Sequence, residues 1–304
     1  MQLLTYELNN FCEKETAVAL GTFDGLHIGH KQILDNAGKS GLPVVAYSFA
    51  NIPAAYFGKP IKALLTRDEK IAAFREYGVD YLLLVPFDEM IMNMSARDFL
   101  DFLYYKLNAR VISCGFNYSF GRNAEGNPEL LMEYCAEKGI QAMIAEPVML
   151  GSETISSTHI REALNIADLS AATQMLGRYF SLSGSVTHGK RLGNTIGFPT
   201  ANIPFSENKI TPKFGVYATK VIIDGVEYPA MTNVGVRPTV EKTDMPNSET
   251  YIIGYDGDLY GKHLKIDFLD YIREEKRFSG VEELQNQLKK DEKTALQMYN
   301  LMIL

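Results

Sequence analysis

Two histidines stand three residues apart in GTFDGLHIGHKQIL (residues 21–34), directly after the apolar run TAVAL at 16–20, in a chain with five histidines in all. An apolar run, a tight glycine turn and a helix start bring free backbone N–H groups and the positive end of a helix dipole to one place, which suits a phosphate. Gly25 and Gly29 let a bulky anion approach the main chain. His27 and His30, at i and i+3, can face the same side of the first helical turn. Two imidazole donors there can stabilise charge on a phosphorus in transfer without a covalent intermediate. A second chemically capable stretch is GKRLGNTIGFPTAN at 189–202, a glycine loop with two cations followed by Pro-Thr-Ala-Asn. Thr200 and Asn202 are alternate positions of an extended segment, so both oxygen ligands project to one side. A few hard oxygens beside nucleotide phosphates suit magnesium, while a turn and an edge strand would read the same by spacing alone. The overlapping GSVTHGK at 184–190 fits GxxxxGK but continues with Arg191 in a strand-patterned stretch, which excludes a P-loop.

The elements that must position these residues fall into two halves. Residues 16–150 alternate short apolar runs (TAVAL, PVVAYSF, DYLLLVPF, ARVISC, IQAMIAEP) with amphipathic stretches that carry helix-end signals. Thr66 with Glu69 predicts a capping box and Gly78 a stop; Ser95 predicts another start; Asn127, Pro128 and Gly139 bound a third helix. This alternation predicts a mostly parallel sheet covered on both faces, with ligands beyond the carboxyl ends of the strands. After about residue 180 the period changes to two, broken by Asp-Gly turns at 224–225 and 256–257, and helical spacing returns from Ser279. The expected architecture is an α/β, Rossmann-like domain over 1–182, followed over 183–304 by an antiparallel β-barrel with a C-terminal helix.

Composition narrows the function classes. The length of 304 residues makes two domains the default. A net charge of −7 disfavours a broad nucleic-acid or anionic-membrane surface but permits a local phosphate pocket. Three distant cysteines form no CxxC pair, so a disulfide framework or zinc site is not expected, and no stretch has membrane-spanning length. The expectation is a soluble cytoplasmic protein, a monomer or weak homo-oligomer, with small-molecule partners and neither nucleic acid nor membrane.

HxGH after a first strand is the signature of the nucleotidyltransferase superfamily. The longer GTFDGLHIGH, with GFNYSFGRNAEG at 115–126 and ISSTHIREAL at 155–164, resembles the adenylyltransferase half of bacterial bifunctional FAD synthetases. GKRLGNTIGFPTAN, FGVY (214–217), TNVGVRPT (232–239), ETYIIGYDGDLYG (249–261) and IREEKRF (272–278) resemble their riboflavin kinase half. The resemblance implies that ATP phosphorylates riboflavin to FMN, and that a second ATP adenylylates FMN to FAD with Mg²⁺. It implies that His27, His30 and Asn117 act at the transferring phosphate, and that Gly25, Gly29, Ser157, Thr158 and Arg161 hold ATP phosphates, with Phe120 at the flavin. In the second half it implies ATP contacts from Gly189, Lys190 and Gly193, flavin contacts from Phe198, Pro199 and Arg273, and metal ligation by Thr200 and Asn202. Glu249 becomes the base that takes the proton of the ribityl 5′-hydroxyl. SFANIPAAYF (48–57) lacks the histidine of the family's Pro-His-Pro style segment, and Tyr251 and Gly254 replace a usual histidine and aspartate. A kinase with a weakened adenylyltransferase half and a non-catalytic flavin sensor are the alternative readings.

Overall fold

The computed structural model describes residues 1–4, 12–187, 193, 196–236 and 245–303. It falls into two compact units, Met1–Ser157 and Thr158–Leu304. The division comes earlier in the chain than the expected 182/183. The helix α8 (Leu169–Leu176) packs with the later strands, and the carbonyl of Leu164 in α7 (Ser157–Ile166) accepts from Lys213 N at 3.0 Å.

In the first unit the elements run β1 (Gln2–Leu4), β2 (Thr16–Leu20), α1 (Ile28–Gly38), β3 (Val44–Phe49), α2 (Pro53–Tyr56), α3 (Arg67–Tyr77), β4 (Tyr81–Val85), α4 (Glu89–Asn93) and α5 (Ala96–Asp101). A π-helical turn (Phe102–Lys106) leads to β5 (Ala109–Gly115), then α6 (Pro128–Lys138), β6 (Gln141–Ala145) and the small hairpin β7 (Met149–Leu150) and β8 (Glu153–Thr154). Six strands form one parallel sheet in the order β1-β4-β3-β2-β5-β6. The capping signals act as the local chemistry requires. Thr66 and Glu69 form the reciprocal box at the start of α3, and Gly78 ends it with φ +92°. Asn127 caps α6 ahead of Pro128, and Gly139 stops it with φ +66°.

Alternate strand residues feed two cores. Val18, Leu20, Val45, Tyr47 and Ile112 face Phe99, Leu103, Leu131 and Tyr134 on one side. Ala17, Ala19, Ala46, Leu82 and Val111 face Ile33 and Leu34 of α1 and Phe74 of α3 on the other. Each large apolar side chain buried this way is worth about 1.5–3 kcal/mol. The alanines on the second face leave room for α1 to lie close, which sets its N-terminus over the carboxyl end of β2. Strand order reverses between β2 and β5, the crevice where ligands of open α/β sheets bind.

In the second unit β9 (Phe180–Ser185), β10 (Thr200–Pro204), β11 (Gly215–Ile223), β12 (Val226–Val236), β13 (Pro246–Ile252) and β14 (His263–Arg273) follow α7 and α8. They form an antiparallel sheet in the order β10-β13-β12-β11-β14-β9. Its two edges meet at a bridge between Thr187 and Asn202, so the sheet curls into a barrel. Thr219, Thr232 and Thr250 line up inside it, hydroxyl to hydroxyl at 2.8 and 2.9 Å, which pairs buried polar groups with one another. The last helix, α9 (Val281–Ile303), packs on β11, β12 and β14.

Candidate active sites

The turn 21–27 is forced into an unusual shape. Phe23, Gly25 and Leu26 have φ of +50°, +84° and +41°, so three of seven residues lie in the left-handed region. Burial of Phe23, with no exposed surface, and of Leu26 holds the two non-glycine residues there. The turn delivers His27 as the N-cap of α1. Its Nδ1 accepts from the backbone N–H of His30 at 3.3 Å, and the two rings stack with centroids 3.6 Å apart. A Cβ on Gly29 would lie 3.2 Å from the His27 ring, so a side chain there would press on the imidazole. The Ser157 hydroxyl donates to the Asp24 carbonyl at 2.8 Å, and the Asp24 carboxylate accepts from Leu64 N at 2.9 Å.

The structure thus brings His27, His30, Gly25, Gly29 and Ser157 together. Asn117 is exposed just beyond β5, at the same carboxyl edge as the histidine turn because β5 pairs with β2. Phe120 is 7 % exposed, with its ring against Phe99 and Tyr118 at 5.3 and 5.9 Å. Thr158 and Arg161 follow Ser157 along α7. A wider hollow of about 730 Å³, lined by Asp88, Glu89 and Asp98, is open and acidic, which suits a phosphate poorly.

In the barrel unit, register builds the site. Asn202 on β10 pairs with Glu249 on β13, which pairs with Asn233 on β12. Direct cross-strand partners share a face, so the glutamate sits between two amides. Thr200 lies opposite Tyr251, one step along. The Asn202 amide donates to the Thr200 carbonyl at 3.2 Å and its hydroxyl at 3.4 Å, and Asn247 donates to Asn202 Oδ1 at 3.2 Å. The expected proximity of Thr200 and Asn202 is therefore observed. Thr200, Asn233, Glu249, Tyr251 and Arg273 line a cavity of about 230 Å³ with Phe198 and Gly193. Phe198 is buried and meets Tyr251 edge-on at 5.0 Å. Burial, and then the charge of Glu292, push the Tyr251 phenol above its usual range, so it stays a donor at ordinary pH.

Gly193 closes the loop beneath. Its carbonyl accepts from Phe198 N at 2.8 Å and Ile196 N at 3.2 Å, and a Cβ would clash with the Phe198 carbonyl oxygen. Pro199 is exposed. The guanidinium of Arg273 grips Asp291 of α9, with Nε 3.0 Å from both carboxylate oxygens and an Nη 2.7 Å from one. Gln287 adds a bond to the same carboxylate at 2.8 Å. Asn233, Asn247 and Asp291 were not named from the sequence: Asn233 stands inside TNVGVRPT, but only the pairing of β12 with β13 sets it beside Glu249, while Asn247 and Asp291 join from a facing strand and from α9. Gly189 and Lys190 lie outside the described residues.

Residues 10–159 match the family model described as FAD synthetase, and residues 176–299 match the one described as riboflavin kinase. The bifunctional riboflavin kinase/FMN adenylyltransferase of Escherichia coli (strain K12) is 35% identical, with 97% of this chain and 96% of that protein aligned. This chain belongs to that bifunctional family. The Listeria monocytogenes member is 34% identical over 90% of both chains, and that of Bacillus subtilis (strain 168) 31% over 95% and 94%. A crystal structure described as a macrolide-efflux protein from Streptococcus pneumoniae superposes with a TM-score of 0.87 at 29% identity, covering 97% of this chain and 99% of that one. Among the described residues no helix is long and apolar enough to cross a membrane. As a member of the bifunctional family, the chain is an enzyme that makes FMN from riboflavin and FAD from FMN with ATP, through a riboflavin kinase part and an FAD synthetase part.

Proposed function

We propose that Glu249 is the base of the kinase reaction and that His27 and His30 serve adenylyl transfer. In the barrel, Glu249 takes the proton from the ribityl 5′-hydroxyl as that oxygen attacks the γ-phosphorus of ATP, and ADP leaves. In the first unit, a phosphate oxygen of FMN attacks the α-phosphorus of a second ATP and pyrophosphate leaves. His27 and His30, at the N-terminus of α1, donate to the charged oxygens, and Asn117 acts beside them. Gly25, Gly29 and Ser157 shape the phosphate seat, and Thr158 and Arg161 hold the outer phosphates. Both reactions are in-line displacements at phosphorus, for which a protein supplies mainly position and charge.

The observation that carries this reading is the register that seats Glu249 between Asn202 and Asn233 in the cavity beside Thr200. Phe198 and Arg273, which line that cavity, contact the flavin together with Pro199, and Gly193 contacts ATP; the ATP contacts of Gly189 and Lys190 rest on the family resemblance alone. The donor set fits Mg²⁺: the Thr200 hydroxyl and the Asn202 amide oxygen are hard oxygens that would leave positions for phosphates and water. Such an ion neutralises charge on the phosphoryl oxygens. The functional boundary is placed at 182/183. A monomer or weak homo-oligomer, acting on small molecules away from nucleic acid and membrane, fits the acidic balance of charge. Free buried thiols at Cys12, Cys114 and Cys135 support a reducing cytoplasm. The test is incubation of the chain with riboflavin, ATP and Mg²⁺ and chromatographic separation of the flavins. FMN should appear first and FAD after it; accumulation of FMN without FAD would leave the first unit without its assigned chemistry.

A further inference from the structure

Lys70 is a lysine in the interior. It lies on α3, is 6 % exposed, and points at the carboxyl ends of two neighbouring strands. Its ammonium donates to the Thr22 carbonyl beyond β2 at 3.0 Å and to the Phe49 carbonyl at the end of β3 at 3.0 Å. A third contact, at 3.5 Å, goes to the Ser48 hydroxyl, which itself donates to the Thr22 carbonyl at 2.9 Å. Three donors of one ammonium thus meet three oxygens. Thr22 opens the strained turn that ends in His27, five residues on. Burial of a lysine at this depth costs free energy that a Leu or Met would not, and the sheet core gains nothing from the charge.

We infer that Lys70 is a positioning residue for adenylyl transfer: its protonated ammonium ties the ends of β2 and β3 together and thereby aims His27 and His30. The inference rests on the adenylyl-transfer reading of the first unit. Asp24, three residues before His27, is the charged group that acts on Lys70 from the turn. Burial drives the ammonium down from its ordinary 10.5 to about 8, against the opposing pull of Asp24. Between those values the unfolded chain holds more protons than the folded one, so the Lys70 contribution to stability rises with pH. Adenylyl transfer should fall over the same range, because a neutral amine has one donor fewer and no charge to strengthen its bonds. Activity and stability therefore move in opposite directions, which a merely structural lysine would not produce.

The experiment is the pH profile of FAD formation from FMN and ATP at saturating Mg²⁺, with FMN formation by the same chain as the reference. The wild type should lose activity through about pH 8 without a fall in its unfolding temperature. Lys70→Arg keeps a charge and a donor fork at every pH and should retain activity across that range. Lys70→Met should be slower by about 10²-fold, in kcat more than in KM, with no alkaline limb, because a displacement of about 1 Å at reacting groups costs that much. Lys70→Arg decides on its own should the methionine variant not fold: loss of the alkaline limb supports the inference, and an unchanged limb overturns it. A folded Lys70→Met enzyme with wild-type rate and profile also overturns it. Absence of FAD formation by the wild type at every pH would instead refute the adenylyl-transfer reading.

Discussion

Replacement of Asp291 by alanine should destabilise the barrel unit far more than its distance from the reacting atoms suggests. The carboxylate is 1 % exposed and accepts from Arg273 and from Gln287. Its removal leaves a guanidinium that is itself only 21 % exposed without its counter-charge, under α9. Breaking one side of such a pair costs about 3–5 kcal/mol, because the surviving charge stays desolvated. That is a large share of the ~5–15 kcal/mol by which domains are stable, and corresponds to roughly 6–20 °C in unfolding temperature for a unit of this size. Replacing both partners, as Arg273→Met with Asp291→Leu, should restore most of the loss, since a well-packed apolar pair is about neutral against a buried ion pair. The assay is equilibrium urea unfolding followed by circular dichroism, on Asp291→Ala and on the double variant. An Asp291→Ala protein within about 0.5 kcal/mol of wild type would refute the reasoning, as would a double variant no more stable than the single one.

Three further outcomes are expected. His30→Ala should slow FAD formation by about 10²–10³-fold, the cost of one preorganised donor, while FMN formation from riboflavin continues; both are read from one chromatographic time course. Glu249→Gln should slow FMN formation by about 10²–10⁴-fold and leave adenylylation of supplied FMN intact, and normal kinase turnover would rule out the base. Gly193→Ala should cost the kinase about 10²-fold, because its methyl group must push the Phe198 backbone away and shift Thr200, whereas FAD formation from FMN should be unchanged.

What could be read from the sequence follows how local each determinant is. The Thr66–Glu69 box, the Asn127-Pro128 start and the glycine stops at 78 and 139 are settled within a turn of chain, and each is found where its residues predict. The buried strands were legible from continuous apolar runs, and the histidine pair from a motif that is itself one strand end and one helix start. β1 was not, because three residues at a sheet edge carry no period. Glu249 resembles any solvated carboxylate until register sets it between two asparagines from other strands. Lys70 reads as an ordinary helix lysine, since nothing nearby in sequence announces the carbonyls it meets 48 and 21 residues away. The pairing of Arg273 with Asp291, 18 residues apart on a strand and a helix, is hidden for the same reason.

The bridge that joins the barrel's two edges has a mechanical meaning. Asn202 accepts through its main chain from Thr187, with the amide at 2.8 Å and the hydroxyl at 3.2 Å, while its buried side chain bonds Thr200 and Asn247. On the proposed reading, one residue is thus both the zip of the cylinder and part of its grip on metal and nucleotide. Whatever ligand steadies that side chain also fastens the seam, so amide exchange at Thr187 should slow when ATP is present, and fraying in the empty protein should begin along this line.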